Sequence, residues 1–201
     1  MNEELEHPDS EPGLIAIGEK LFQWRDYTPL PLIVVLLLIA EPTATSATLG
    51  LFCIIFGELI RLYGVSFIGA VSRTRSHSVG QKLVTGGPFR YVRNPLYVGN
   101  FFLSTGISIY GGVGWFVLFA MAMTAFQYHC IVQFEEKLLG DIFGDEYKEY
   151  CTTVPRWLPK KMPSLDNIEW PRDVGIAFRS ERKTFAAIAV MVLALMLLSK
   201  H

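Results

Sequence analysis

Residues 94–134 read NPLYVGNFFLSTGISIYGGVGWFVLFAMAMTAFQYHCIVQF, 41 consecutive positions without an Asp, Glu, Lys or Arg. One membrane-spanning helix needs roughly 20 apolar residues, so the run is long enough for two. Gly111-Gly112-Val113-Gly114 falls near its middle, where glycine's access to positive φ lets the chain reverse. The stretch therefore predicts a helical hairpin in a membrane. The rest of the chain agrees: 51% of its 201 residues are hydrophobic and the mean hydropathy is +0.32, a composition of the membrane class.

Upstream, the apolar stretches Tyr27 to Ala40 and Thr43 to Ile60 are separated by Glu41-Pro42, which can end one helix and begin the next. They predict a second, shorter hairpin. Glu58 is the only formal charge from Thr43 to Ile60 and lies three residues before Arg61, the spacing of an internal helix pair. Gly57 allows a neighbouring helix to come close. Downstream, Thr184 to Ser199 follows Arg179, Glu181, Arg182 and Lys183 and precedes Lys200. At 16 residues it is short for a span, and is read as the last of about five transmembrane helices in an all-α polytopic bundle.

Orientation follows from Lys and Arg in the loops. Arg61, Arg73, Arg75, Lys82, Arg90 and Arg93 lie between the second and third spans; Lys137, Lys148, Arg156, Lys160, Lys161, Arg172, Arg179, Arg182 and Lys183 lie between the fourth and fifth. Both loops are expected to be cytoplasmic, and the same parity places the N-terminus inside. The opening Glu3, Glu4, Glu6, Asp9 and Glu11 come without a basic n-region, so they read as a solvated tail and not as a cleavable signal. Gly13 to Asp26, with Leu14, Ile17, Leu21 and Trp24 at helical spacing, reads as an amphipathic lead-in. The expected division is a tail and lead-in over 1–26 and one membrane-embedded domain over 27–201. Cys53, Cys130 and Cys151 have no paired or metal-type spacing and read as reduced and structural. No metal and no nucleic-acid partner are expected.

Three constellations can carry chemistry. In Arg93-Asn94-Pro95 the asparagine is placed to cap a helix that begins with proline. Arg90 and Arg93 beside that positive helix end make an anion site at the membrane surface, although the positive-inside rule or lipid phosphates also account for them. Second, His129, Gln133 and Glu136 share a helical face at the end of the fourth span, with Glu135 alongside. Polar residues there normally face a bundle interior or a cavity. Taken alone, His129 reads as a neutral interhelical hydrogen bond in preference to a catalytic group, and the two glutamates read as an interfacial helix end. Third, Phe143-Gly144-Asp145-Glu146-Tyr147-Lys148-Glu149-Tyr150 puts Tyr147 and Tyr150 on one helical face, and Val154-Pro155-Arg156-Trp157-Leu158-Pro159 follows as an extended segment. Trp157 next to Lys160 and Lys161 also suits a surface anchor.

In this order the pieces resemble the membrane-embedded methyltransferases of the isoprenylcysteine carboxyl methyltransferase and phospholipid methyltransferase superfamily. The resemblance runs from about Leu83 to Pro159. It rests on Val84-Thr85-Gly86-Gly87, Arg93-Asn94-Pro95-Leu96-Tyr97-Val98-Gly99, the glycine-interrupted hairpin, Glu135-Glu136, Phe143-Gly144 with Tyr147 and Tyr150, and Val154-Pro155 with Pro159. It implies S-adenosylmethionine as cofactor, a cytoplasmic C-terminal cofactor-binding region, and a lipophilic small-molecule or prenylated acceptor entering from the membrane lipids. The residues it implies around the cofactor are Val84, Gly87, Arg93, Asn94, Tyr97, Gly99, Glu135, Glu136, Tyr147 and Tyr150, with Arg93, Glu136 and Arg156 closest to the chemistry. Arg93 and the turn at Asn94 suit the cofactor's carboxylate, Glu135 or Glu136 its ammonium and ribose, and tyrosine faces its sulfonium. Arg156 is the candidate for orienting the acceptor. One position departs from the family pattern: Asn94 stands where the family has histidine, and it cannot carry a positive charge.

Two other readings compete. A sterol-type membrane reductase using NADPH shares Tyr150-Cys151 with Val154-Pro155, and a lipid-binding membrane protein without chemistry shares the bundle.

Overall fold

The computed structural model describes residues 12–68, 82–160 and 168–198. The acidic tail, Arg73, Arg75, Lys161 and Ser199 lie outside the described residues. Among those described, the chain forms helices α1 (Pro12–Trp24), α2 (Leu30–Ile39), α3 (Ala44–Ile68), α4 (Pro95–Tyr110), α5 (Gly114–Phe143), α6 (Asp145–Thr153) and α7 (Val174–Leu198), with a 3-10 turn at Gly87–Arg90. No strand occurs among them.

The predicted hairpin is α4 and α5, joined through Gly112 at φ +79°. A Cβ there would collide with the Glu41 carbonyl oxygen, and Glu41 N–H donates to the Gly111 carbonyl at 2.8 Å. The α2–α3 turn and the α4–α5 turn therefore touch at one end of the bundle. The earlier apolar stretches form α2 and α3, but α2 has only 10 residues. It starts at Leu30, with Pro29 at the cap position and Pro31 in the first turn, where a missing N–H costs no helix bond. Pro42 follows its end.

Glycine spacing sets how α3 meets α4. A Cβ on Gly50 would stand 2.7 Å from the Gly106 carbonyl oxygen, and one on Gly57 would stand 2.6 Å from that of Gly99. The pairs run in opposite directions along the two helices, so α3 and α4 lie antiparallel with backbones in contact. Close approach of this kind substitutes for the hydrophobic drive that lipid removes.

Only α3 and α5 are both long and apolar enough to cross a membrane among the described residues, where about five spans were expected. The outward faces support a membrane setting: Leu38, Phe52, Leu118 and Leu197 are each at least 70% exposed, a surface that water would disfavour. The fold is an all-α, membrane-associated bundle. α5 continues past Phe134 to Phe143; its 30 residues rise about 45 Å at about 1.5 Å each, beyond the roughly 30 Å of a hydrocarbon core. α7 begins ten residues before the expected Thr184, with Asp173 Oδ1 accepting from the Ile176 N–H at 2.8 Å. The charged group Arg179 to Lys183 is thus helical, and Glu181, 1% exposed, meets Arg61 of α3 at 2.6 Å.

α1 is the amphipathic helix expected, but with its buried face rotated. Leu14, Gly18, Leu21, Phe22 and the following Arg25 turn inward, while Ile17 and Trp24 face out. Gly18 decides this, since a Cβ there would collide with the Cys130 carbonyl oxygen of α5. At the far end from the polar residues, Leu36, Tyr110, Phe116, Ala120, Met191 and Leu195 close an apolar cluster between α2, α4, α5 and α7.

Candidate active site

Where α5 leaves the apolar part of the bundle, Glu136 is buried with 2% exposure and gathers three chain segments. Its Oε1 accepts from Asn94 Nδ2 at 2.8 Å and lies 3.3 Å from Arg93 Nε. Its Oε2 accepts from Arg156 Nε and Nη2 at 3.1 and 3.0 Å. A backbone bond fixes the same segments, Arg93 N–H donating to the Pro155 carbonyl at 2.9 Å, and a side-chain bond ties their neighbours, Tyr150 Oη–H donating to the Phe89 carbonyl at 2.7 Å. A carboxylate between two guanidiniums stabilises both charges at close range. Burial works against the charge on Arg93, and Glu136 and Cys151 beside it outweigh that, so its pKa is raised.

Asn94 does not cap α4. It occupies the cap position with φ −125° and ψ 54°, but its side chain makes no cap hydrogen bond and reaches Glu136 instead. The first turn of α4 is left without a side-chain cap. Arg90 likewise is not a free cation, being 3.2 Å from Glu169.

The uncapped end of α4 forms one wall of a cavity of about 1130 Å³, above the roughly 300–1,000 Å³ of small-molecule sites. Of the residues read from the sequence, Val84, Arg93, Asn94, Tyr97, Glu135, Tyr147 and Tyr150 line it. Glu136 and Arg156 do not, because each is turned into the ion cluster. Gly87 and Gly99 also lie elsewhere. Gly87, at φ +57°, leaves room for the Phe67 ring, and Gly99 packs on Gly57 and Arg61 of α3.

Glu135 is one residue from Glu136, about 100° round the helix, and faces the cavity. It is hydrogen-bonded to Tyr97, while Arg25 Nη1 stands 4.0 Å from its Oε1. Tyr147 and Tyr150 pack with ring centroids 6.0 Å apart. Burial, more than any neighbouring charge, pushes both phenols above their ordinary range, so they remain protonated and uncharged. The Cys151 thiol, beside Arg93 and Tyr147, is also raised, mainly by burial. His129 bonds within its own helix, to Gln133 at 2.9 Å, where an interhelical partner was expected. Trp157 is half-buried.

Several cavity residues carried no readable signal. Arg61 and Asn100, hydrogen-bonded to each other, line it with Glu181. The sequence offered the pair Glu58–Arg61, found at 3.6 Å, but not a second carboxylate from 120 residues away. Phe22, Arg25 and Asp26 come from the lead-in helix and its exit turn. Their inward turn depends on Gly18, which hydropathy cannot reveal. Among the described residues, no group of three His, Cys, Asp or Glu side chains is arranged to hold a metal ion.

Known sequences supply an independent comparison. The phospholipid methyltransferase family model matches residues 45–146, half of the chain. Protein-S-isoprenylcysteine O-methyltransferase of Schizosaccharomyces pombe is 32% identical over 121 residues, 57% of this chain and 49% of that protein. The Homo sapiens protein of the same name is 32% identical over 121 residues, 55% of this chain and 40% of that protein. Phosphatidylethanolamine N-methyltransferase B of Dictyostelium discoideum is 31% identical over 75 residues, 36% of this chain and 38% of that protein. The matched part thus spans half or less of each relative's length. No solved structure matches the chain. The matched segment contains α4, α5, all of α3 but its first residue, and the paired glutamates around which the cavity and the ion cluster are built; the chain belongs to the isoprenylcysteine carboxyl methyltransferase and phospholipid methyltransferase superfamily.

Proposed function

We propose that this protein transfers a methyl group from S-adenosylmethionine to a lipophilic acceptor drawn from the membrane, in the cavity at the α4–α5 end. The supporting observation is the pairing of opposite charge preferences on its walls. The uncapped N-terminus of α4, with Arg93 beside it, suits a carboxylate; Glu135 suits an ammonium or a ribose hydroxyl; and the faces of Tyr97, Tyr147 and Tyr150 suit a sulfonium. S-adenosylmethionine carries all of these groups. Bound there, it would supply an electrophilic methyl carbon, which bonds to the acceptor's lone pair as the carbon–sulfur bond breaks and leaves its electrons on sulfur.

The chain's own residues bind, orient and exclude water, the contributions that dominate a direct displacement. Tyr147 and Tyr150, neutral and buried, keep the wall dry without presenting a competing nucleophile. Glu136 acts behind the wall: it fixes Arg93 and Asn94 at the mouth of α4 and ties Arg156 to the same point. We place the site on the cytoplasmic face, because Lys82, Arg90, Arg93, Lys148 and Arg156 cluster at that end. In this reading α2, α4 and α7 complete a five-helix membrane bundle with α3 and α5, since α4 is locked to α3 by the glycine pairs and the two hairpin turns sit at one depth.

Calorimetry on detergent-purified protein tests the assignment. S-adenosylhomocysteine should bind and NADPH should not. Binding of NADPH without S-adenosylhomocysteine would replace this reading with a reductase.

A further inference from the structure

The cavity has a third wall, supplied from outside the 45–146 segment that defines the family. α1 is fixed against α5 by the Gly18 contact with Cys130, by Phe22 against Phe134 with centroids 5.6 Å apart, and by Gln127 Nε2 donating to Thr28 Oγ1 at 2.7 Å just beyond it. This docking turns Phe22, Arg25 and Asp26 into the cavity.

Arg25 is prepared for an anion in a way that Arg93 and Arg61 are not. Arg93 is held by Glu136, and Arg61 by Glu181 and Asn100. The Arg25 guanidinium carbon lies over the Phe22 ring, 4.2 Å from its centroid, a contact that holds it against that wall. Among the described residues its two carboxylate neighbours, Asp26 and Glu135, both stand 4.0 Å away. That is outside hydrogen-bond distance, so the two carboxylates balance its charge without consuming its donors. Depth is defined as well. Trp24 and Tyr27, 63% and 60% exposed and edge-on at 6.0 Å, flank Arg25 in sequence and are suited to the headgroup level. Arg25 is thereby presented at the depth where the head of a lipid meets the cavity.

We infer that Arg25 is a specificity-determining residue that binds the anionic head of the acceptor, a carboxylate or phosphate on a lipid, and selects against uncharged lipids. This rests on the proposed methyl-transfer reading, and it leaves the α4 terminus and Arg93 to the cofactor. Arg156, the acceptor-orienting candidate from the sequence, has both of its bonding nitrogens on Glu136, so Arg25 takes that role from the opposite wall.

Calorimetric titrations on the full chain in detergent, each with and without S-adenosylhomocysteine, test this with three probes: N-acetyl-S-farnesylcysteine for the carboxylate, lysophosphatidylethanolamine for the phosphate, and the uncharged carboxamide of the first. At least one anionic probe should bind about tenfold or more tightly than the carboxamide, the loss of roughly one charge-assisted bond, and which one does so identifies the head. Arg25→Gln should erase that margin while changing S-adenosylhomocysteine affinity less than about twofold, and Arg25→Lys should retain part of it. Equal binding of charged and uncharged probes, or a margin that survives Arg25→Gln, would overturn the inference. So would parallel loss of probe and S-adenosylhomocysteine binding in a monodisperse variant. If S-adenosylhomocysteine does not bind the parent protein, the methyl-transfer reading fails, and the probe titrations alone still decide the role of Arg25.

Discussion

The two ends of the bundle are built on opposite principles. At the α2–α3 and α4–α5 turns, Leu36, Tyr110, Phe116 and Leu195 meet as apolar side chains. At the other end Glu136 is as deeply buried as those residues, but it carries charge and is matched to Arg93, Arg156 and Asn94. Where apolar side chains part in a bilayer, lipid tails cover much of the surface they expose, whereas nothing in a buried site replaces the partner of a charge. Lesions of similar size should therefore be far more damaging at the polar end.

The largest effect should come from Glu136→Gln. It leaves Arg93 and Arg156 facing a neutral amide, and breaking a buried pair of this kind costs about 3–5 kcal/mol. Thermal unfolding in detergent should show a large drop in Tm, with S-adenosylhomocysteine binding lost as a consequence of the disordered wall. A Tm equal to the parent's would mean that Glu136 is not the organising group. Next in size is Gly57→Leu. Its side chain must enter space occupied by the Gly99 carbonyl, and overpacking costs about 1–3 kcal/mol. The α3–α4 packing should loosen, and a cysteine pair placed across it should crosslink less efficiently.

Leu36→Ala, at the apolar end, should cost about 2 kcal/mol and leave S-adenosylhomocysteine affinity unchanged; coupled loss of affinity would show that the two ends are not independent. Tyr150→Phe removes the hydrogen bond to the Phe89 carbonyl and should cost about 1 kcal/mol, readable as a small shift in Tm.

The apolar end was the legible one. The charge-free run of residues 94–134 and its glycine cluster define α4, the turn and the first two-thirds of α5, because hydropathy and glycine act locally. What escaped is non-local. The charges Arg179 to Lys183 resemble a loop until Arg61, on another helix, is seen to meet Glu181. Asn94-Pro95 has the local form of a capped helix start, and only the fold brings Glu136 close enough to draw the asparagine away. Gly18 rotates α1 for the sake of a carbonyl on α5, which no pattern within α1 records. The ordered motifs did bring Val84, Arg93, Tyr97, Glu135, Tyr147 and Tyr150 to one cavity, but they could not separate the two adjacent glutamates. Helical rotation separates them, turning Glu135 toward the cavity and Glu136 toward the arginines.

That separation is the most direct point of attack. Glu135→Gln should unfold at the parent's Tm, because Glu135 anchors no ion cluster, and calorimetric titration should show S-adenosylhomocysteine binding weakened by about tenfold or more, the equivalent of one charge-assisted hydrogen bond. Unchanged affinity, or a loss of stability comparable to that of Glu136→Gln, would contradict the assignment of Glu135 to the cofactor and of Glu136 to the wall behind it.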